Sequence, residues 1–308
     1  MSVGPSVRGV LSIIGGWAWL AGAVAGQGPA VAPAATRPPI VGLSHLTLQV
    51  SDLKAARAYY HGLLGFDEPF RVAGAPGGPD YAYFRINDYQ YVELVSGLDA
   101  SGDDREAHLA YRVTDAEGMR VYLAGRGVAV PSAVGTDRLG NLSFAVRDPE
   151  DRIVEFVQDL PGSRLSHSRG RPPLARQLSA RAFHAAIPVI DLDATIGFYA
   201  GILGFSEMLR ASEQNPAWIN YRLPEAAVYI EWTLMARDSS RAERARKHHL
   251  GLAVPDVQAA ADALRERASE MGISVSPAIV LGKNRRWHVG VADPDNRRHE
   301  LMEPYTVK

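Results

Sequence analysis

The 308-residue sequence contains no cysteine. This absence excludes disulfides, thiolate metal sites and a lipid-anchored cysteine, so any metal must be held by His, Asp or Glu. The formal net charge is only −1, which provides neither a basic footprint for nucleic acid nor a strong attraction to anionic membranes. We therefore expect small-molecule partners and no nucleic acid, and the length is sufficient for two domains.

The N-terminal segment has the composition of an export signal. Arg8 precedes an uncharged run, VLSIIGGWAWLAGAVA, which is short for a membrane span and ends in a small-x-small pattern that predicts cleavage after Ala25. No twin arginine is present. We predict a signal peptide at 1–25, a flexible Ala/Pro-rich leader at 26–41, and export to the periplasm or the medium with no stable membrane span after cleavage. The alternatives are an uncleaved anchor or a cytosolic protein.

One histidine motif occurs four times in a chain that has only nine histidines. The pattern H-x-x-x-x-V-x-D begins at His45, His108, His184 and His249. Its valines are Val50, Val113, Val189 and Val254, and its aspartates are Asp52, Asp115, Asp191 and Asp256. Alternating apolar residues predict a strand, and the closing aspartate is a helix N-cap signal. Such repetition favours a shared role for the histidines over a chance strand position.

The segments between the histidine motifs repeat as well. Each motif is followed by an amphipathic helical pattern and then by short strands, so the predicted unit is βαβββ, four times. Tyr60 in the first unit matches Tyr199 in the third. An Arg-, Pro- and Ser-rich stretch separates the second and third units, which predicts an α+β protein with two tandem domains. We place the first domain at 42–158, the linker at 159–181 and the second domain at 182–304.

The last strand of each unit carries a glutamate among apolar neighbours, which is costly unless the carboxylate is paired or bound to metal. In the second and fourth units an Asp-Pro turn returns the chain into that strand. Two histidines and one glutamate with open positions suit Fe(II) or Mn(II), and a second glutamate gives an octahedral set suited to Zn, Ni, Co, Mn or Fe. The four glutamates are Glu93, Glu155, Glu231 and Glu300.

These motifs resemble the vicinal oxygen chelate superfamily, which includes glyoxalase I, bleomycin-resistance proteins and extradiol ring-cleaving dioxygenases. The resemblance covers nearly the whole mature chain and implies four βαβββ modules paired into two tandem domains, with a metal between each pair. By position, it implies the ligand sets His45, Glu93, His108, Glu155 and His184, Glu231, His249, Glu300. All four residues match glyoxalase-like members, whereas His-His-Glu alone matches the dioxygenases.

The resemblance specifies the reaction less closely than the fold. Ring-cleaving members usually carry a tyrosine three residues before the Asp-Pro turn, where this chain has Ala145 and Gly290. Glyoxalase I needs glutathione adducts, which an exported protein would rarely meet. Arg85 and Arg222, on corresponding strands, could contact an anionic substrate or lie at the surface. Three aromatic residues could line a pocket, although core packing is the better prediction for them: Tyr83, Trp218 and Trp232.

We therefore predict an exported metal-dependent lyase, isomerase or dioxygenase. Its small oxygen-rich substrate would chelate a divalent transition metal (Fe²⁺, Zn²⁺, Ni²⁺ or Mn²⁺) through vicinal oxygens, and a glutamate ligand, Glu155 or Glu300, or a metal-bound water would act as the catalytic base. A non-catalytic protein that binds or sequesters small molecules is the alternative. A further possibility is that one domain is only a scaffold. The sequence leaves open whether the protein is a monomer or a homodimer.

Overall fold

The computed structural model describes residues 35–72, 74–98, 106–214, 216–240, 243–244 and 247–307. The predicted signal peptide, 1–25, lies outside the described residues, as does most of the predicted leader. In the described part of the chain, no helix is long and apolar enough to cross a bilayer.

Two eight-stranded sheets follow each other along the chain, and each is built from two βαβββ modules. The first sheet contains β1 (Ile40–Val50), β2 (Arg71–Val72), β3 (Tyr81–Arg85), β4 (Tyr91–Ser96), β5 (Glu106–Val113), β6 (Gly135–Thr136), β7 (Leu142–Arg147) and β8 (Ile153–Gln158). The second contains β9 (Ala182–Val189), β10 (Ser206–Arg210), β11 (Trp218–Arg222), β12 (Tyr229–Leu234), β13 (His249–Ala253), β14 (Ile279–Leu281), β15 (Trp287–Ala292) and β16 (Arg298–Met302). The predicted α+β class and its four modules are confirmed.

The order of strands explains why modules work in pairs. The first sheet runs β2-β3-β4-β1-β5-β8-β7-β6, and the second repeats this order as β10-β11-β12-β9-β13-β16-β15-β14. The first strands of two modules are therefore antiparallel neighbours at the centre of each sheet, and each is flanked by a parallel last strand of its own module. This places the four predicted ligand strands of each domain side by side.

The closing aspartate of each histidine motif has the predicted capping role. Asp52, Asp115, Asp191 and Asp256 each accept a hydrogen bond from a backbone N–H of the helix that follows. The helices are α1 (Leu53–Arg57), α2 (Ala116–Gly125), α4 (Leu192–Ile196) and α5 (Val257–Glu270), and a short α3 (Arg164–His167) lies in the linker. Such a cap stabilises a helix by about 1 kcal/mol. The motif thus combines a strand, a turn and a helix start.

In modules one and three, the helices α1 and α4 each continue as a π-helical segment. These segments are Ala58–Leu63 and Gly197–Ile202. The N–H of Leu64 donates to the carbonyl of Tyr59, five residues earlier, and Leu203 makes the same bond to Phe198. Each segment places a tyrosine in contact with the other domain. The buried apolar residues of both domains form one continuous cluster.

The two domains exchange equivalent hydrogen bonds at this interface. The Tyr199 hydroxyl donates to Asp148 Oδ2 at 3.0 Å, and the Tyr60 hydroxyl donates to Asp293 Oδ2 at 3.4 Å. Tyr60 also lies 2.9 Å from Nε2 of His299, which is fully buried. The two aspartates belong to the Asp-Pro turns before the glutamate strands. Those turns therefore hold the domains together as well as returning the chain into the sheet.

Candidate metal centres

Two adjacent rows of cross-strand neighbours bring the predicted ligands of the first domain together. One row consists of Glu155, Ala110, His45 and Tyr91 on four consecutive strands. The next row, displaced by two residues, consists of His108, Thr47, Glu93 and Tyr83. Since side chains alternate along a strand, both rows project from the same face of the sheet.

Three of the four predicted ligands of the first domain form a compact group. Glu155 Oε2 lies 3.1 Å from His45 Nε2 and 3.0 Å from His108 Nε2, and the two nitrogens lie 3.0 Å apart. Three ligand atoms about 2.1 Å from one ion and at right angles to each other are separated by about 3 Å. The group therefore has the spacing required for one face of an octahedral metal site.

Glu93 is near this group but has other partners. Its carboxylate accepts a 2.6 Å hydrogen bond from the Thr47 hydroxyl and a 2.8 Å bond from the Tyr83 hydroxyl. Both carboxylate oxygens are thus engaged, and Glu93 lies outside the group whose ligand atoms are all within 4.8 Å of one another. Thr47 also lies 3.0 Å from His108 Nε2, so it links Glu93 to the group.

The second domain repeats the arrangement with wider spacing. Glu300 Oε2 lies 3.6 Å from Nε2 of both His184 and His249, and the three residues form the second group within 4.8 Å. Among the described residues, Nε2 of each histidine is buried and has no hydrogen-bond partner. Buried nitrogens without partners that converge on a carboxylate fit a metal ion, since ligation would satisfy them.

The residues around Glu231 explain how the second domain differs from the first. The positions of Thr47 and Tyr83 are occupied by Ala186 and Asn220, and neither forms a described hydrogen bond with Glu231. The Glu231 carboxylate lies 3.9 Å from His249 Nε2. Burial raises the pKa of Glu231, and the nearby negative charge of Glu300 adds to this effect. Glu231 is thus less constrained than Glu93.

Electrostatics keep the central groups in the protonation states that ligation requires. Burial alone would raise the pKa of Glu155, but the hydrogen bonds from His108 and His45 outweigh it and hold the pKa well below its usual range. Burial would likewise raise the pKa of Glu300, but its interactions with His249, His184 and Arg298 outweigh this effect and hold the pKa low. Burial lowers the pKa of His249 to about 3, so this imidazole is neutral at pH 7.

Each centre also has an aromatic support that the sequence reading missed. The ring of His45 stacks on Tyr91, with centroids 4.5 Å apart, and the ring of His184 stacks on Tyr229, with centroids 4.9 Å apart. The signal was present as a repeated Tyr-x-Glu, in which the tyrosine lies two residues before Glu93 and Glu231. This stacking fixes the plane of each imidazole.

Two basic side chains lie beside the glutamate of the second centre. Arg298 forms an ion pair with Glu300 Oε1, and His288 Nε2 lies 3.9 Å from the same oxygen. Gly290 is the direct cross-strand neighbour of Glu300, as Ala145 is of Glu155. Neither position next to these predicted ligand glutamates therefore offers the hydroxyl group that is usual in ring-cleaving members.

The other candidates have distinct surroundings. Arg85 is buried and bonds Asp88 and the carbonyls of Arg171 and Pro172, so it anchors the linker. Trp232 is fully buried and stacks on Tyr221 with centroids 3.7 Å apart, which confirms core packing. Trp218 is half-buried and Arg222 is exposed.

The fold and the two His-His-Glu groups together define a protein of the vicinal oxygen chelate type. The family model for the Glyoxalase/Bleomycin resistance protein/Dioxygenase superfamily matches twice, at residues 42–156 and 181–301. The chain therefore belongs to this superfamily.

Similar solved structures include homoprotocatechuate 2,3-dioxygenase from Brevibacterium fuscum. Its anaerobic complex with 3,4-dihydroxyphenylacetate is 18% identical, with a TM-score of 0.63 over 88% of this chain and 82% of that one. An extradiol ring-cleaving dioxygenase from B. fuscum is 19% identical, with a TM-score of 0.65 over 89% of this chain and 75% of that one. At this identity the likeness concerns the fold. A search of curated protein sequences found no match.

Proposed function

We propose that the protein is a metal-dependent enzyme of the oxygenase type, with a divalent transition metal, ferrous iron for preference, in each domain. Its substrate is a small oxygen-rich molecule that binds the metal through two neighbouring oxygens. The observation that carries this proposal is the grouping of two histidines and one glutamate within 4.8 Å in both domains. This set leaves open positions on the metal and is typical of non-haem Fe(II) oxygenases.

The side chains around each centre have separable tasks. A metal bound there would polarise the substrate oxygens and activate dioxygen. Tyr91 and Tyr229 hold the imidazole planes, while Thr47 and Tyr83 keep the Glu93 carboxylate occupied. The resemblance to solved extradiol dioxygenases supports catechol-like substrates.

A lyase or isomerase is the second candidate, and Glu231 is the reason. Its carboxylate lies 3.9 Å from His249 Nε2 and has no described hydrogen bond, so a small movement would make it a fourth ligand. Four ligands of this kind match the glyoxalase-like set and suit zinc, nickel or manganese. In the first domain, Glu93 would have to break its bonds to Thr47 and Tyr83 first.

Metal content provides the first test. We expect about two equivalents of one divalent metal per chain after anaerobic reconstitution, falling to about one in Glu155→Gln and in Glu300→Gln, because an amide cannot replace an anionic ligand. Elemental analysis after desalting measures this. The matched control is Glu303→Gln, since Glu303 only accepts a hydrogen bond from the N–H of Val257, at the start of α5. Unchanged metal in both site variants would overturn the assignment.

Oxygen uptake separates the two candidates. We expect the iron-loaded protein to consume oxygen in proportion to the catechol cleaved, and Glu231→Gln to retain this activity if three ligands suffice. The protein would instead be a lyase or isomerase if it were active with zinc or nickel, consumed no oxygen and lost its activity in Glu231→Gln.

Export is the remaining part of the proposal, and the N-terminal composition supports it. We expect protein recovered from the exported fraction to begin at Gly26. Recovery of cell-associated protein that retains residues 1–25 would contradict cleavage.

A further inference from the structure

A cavity of about 270 Å³ lies beside the second metal centre. Three arginines contribute to its lining, Arg181, Arg222 and Arg286, together with the apolar side chains of Phe183 and Met208. No aspartate or glutamate is among its described lining residues. A small concave site with apolar walls and unopposed cationic groups is suited to an organic anion.

Arg222 shows that this charge is particular to the second domain. Its counterpart on the corresponding strand, Arg85, is neutralised by Asp88 three residues later, at 2.8 Å. The acid three residues after Arg222 is Glu225, but Glu225 binds Arg37 and the N–H of Ile40 instead. No described carboxylate lies within ion-pair distance of Arg222, so its guanidinium remains available for a ligand.

The other two arginines are held at the cavity by neutral partners. The Arg181 guanidinium donates to the carbonyl of Ala227, which also lines the cavity. The guanidinium carbon of Arg286 lies 5.8 Å from the centre of the Phe183 ring. Neither contact cancels the positive charge. The arginines are therefore positioned by the fold while their charges are left unbalanced.

Two aromatic residues connect the cavity to the metal centre. Tyr229 and Phe183 both line the cavity, and both contact His184, at centroid distances of 4.9 Å. The cavity is therefore one ring away from a predicted metal ligand. A ligand that chelates the metal could extend an arm of a few bonds past Tyr229 into the group of arginines.

We propose that the arginine cavity binds the carboxylate of the substrate, so that the second domain acts on oxygen-rich aromatic acids. This inference rests on the proposed function, because it assigns the substrate class of the same centre. One carboxylate can accept paired hydrogen bonds from a guanidinium fork, which fixes orientation as well as charge. The chelating oxygens and the carboxylate then hold the substrate at both ends.

In the described part of the first domain, the counterparts of these arginines are replaced or neutralised. Arg286 corresponds to Asn141, and the linker helix α3 inserts Leu165, 1% exposed, against Tyr81 and Tyr83 together with Leu139. We infer that the preference for an anionic arm belongs to the second domain alone. The two centres would then differ in substrate selectivity despite having the same ligand types.

Anaerobic titration calorimetry can test this in the full chain carrying Glu155→Gln, where only the second centre holds metal. The probes are dihydrocaffeate, a catechol with a propionate arm, and its uncharged amide. We expect the acid to bind at least about tenfold more tightly than the amide, since hydrogen bonds to charged groups have this magnitude. Arg222→Gln should remove most of this preference, with the amide unaffected. Arg286→Gln is the second, independent variant.

Arg265→Gln is the matched control, because Arg265 is an exposed arginine on α5 and pairs with Asp262. It should retain the full preference for the acid. Equal binding of acid and amide by the parent protein, or an unchanged preference in both cavity variants, would overturn the inference while leaving the proposed function intact. If the amide bound no better with metal than without it, the proposed function would fail, and this inference with it.

Discussion

Replacement of Gly251 by valine should remove the metal from the second domain and leave the first domain loaded. Gly251 lies between His184 and Glu300 in their cross-strand row. A Cβ atom built at this position would approach the His184 ring to 1.9 Å, which is far inside contact distance. The additional γ-carbons of valine would occupy the space of the ring itself. We expect metal content to fall from about two equivalents per chain to about one.

Two further glycine substitutions sharpen this test. Gly251→Ala should only displace the His184 ring, because the first domain has Ala110 at the corresponding position beside His45. Gly290→Ala is the matched control: it flanks Glu300 on the other side, where an added Cβ meets Arg298 Nε at an ordinary 3.4 Å. Both should retain two equivalents of metal. A valine variant that folds and still binds two equivalents would show that His184 is not a ligand.

The same glycine explains why the two centres differ in size. Without a side chain at Gly251, the His184 ring lies low over β13, and its Nε2 is 3.6 Å from Glu300. In the first domain Ala110 takes this position, and His45 Nε2 lies 3.1 Å from Glu155. The compact centre thus has a methyl group at the position where the wider centre has none. A wider centre has more room for Glu231 to approach the metal, which is why the lyase or isomerase candidate concerns the second domain.

The repeated residues made much of the fold predictable. Four histidine motifs predicted four modules, and their aspartates cap helices as expected because a cap depends only on local sequence. The sequence also indicated four candidate ligands in each domain, two histidines and two glutamates. It could not rank Glu93 and Glu231, because their environments depend on residues from neighbouring strands. Thr47 and Tyr83 engage one glutamate and Ala186 leaves the other without a hydroxyl, and these pairings follow from strand register.

The interface between the domains was beyond sequence reasoning for the same reason. Tyr60 and Tyr199 were recognisable as a matched pair, but nothing local indicates that each bonds an aspartate of the other domain. The Asp-Pro turns were predicted correctly as turns, since that signal is local. Their second role depends on how two complete domains pack. The linker is a comparable case, because Leu165 is buried against the first domain within a polar stretch.

Asp148→Ala should lower the free energy of unfolding by about 3–5 kcal/mol, the usual cost of removing one partner of a buried ion pair. Asp148 accepts hydrogen bonds from Arg152 Nε at 2.7 Å and from the Tyr199 hydroxyl at 3.0 Å, and its ion-pair distance to the Arg152 guanidinium is 2.6 Å. Its side chain is fully buried. Arg152 in turn donates to the carbonyl of Pro188 in the second domain. Loss of this carboxylate therefore removes the shorter ion pair of Arg152, which keeps only the 3.7 Å contact with Glu150, and takes away the described acceptor of the Tyr199 hydroxyl.

Urea unfolding can measure how strongly the two domains are coupled. In a chain lacking residues 1–25, tryptophan fluorescence reports on the second domain alone, because the remaining tryptophans are Trp218, Trp232 and Trp287. In the wild type, tryptophan fluorescence and far-ultraviolet circular dichroism should give the same midpoint. In Asp148→Ala, a substitution within the first domain, the fluorescence midpoint should also fall, since the second domain loses its support. Asp148→Asn retains the shape and an acceptor and should lose less. A fluorescence midpoint that does not move would mean that the second domain is stable without the contact between Asp148 and Tyr199.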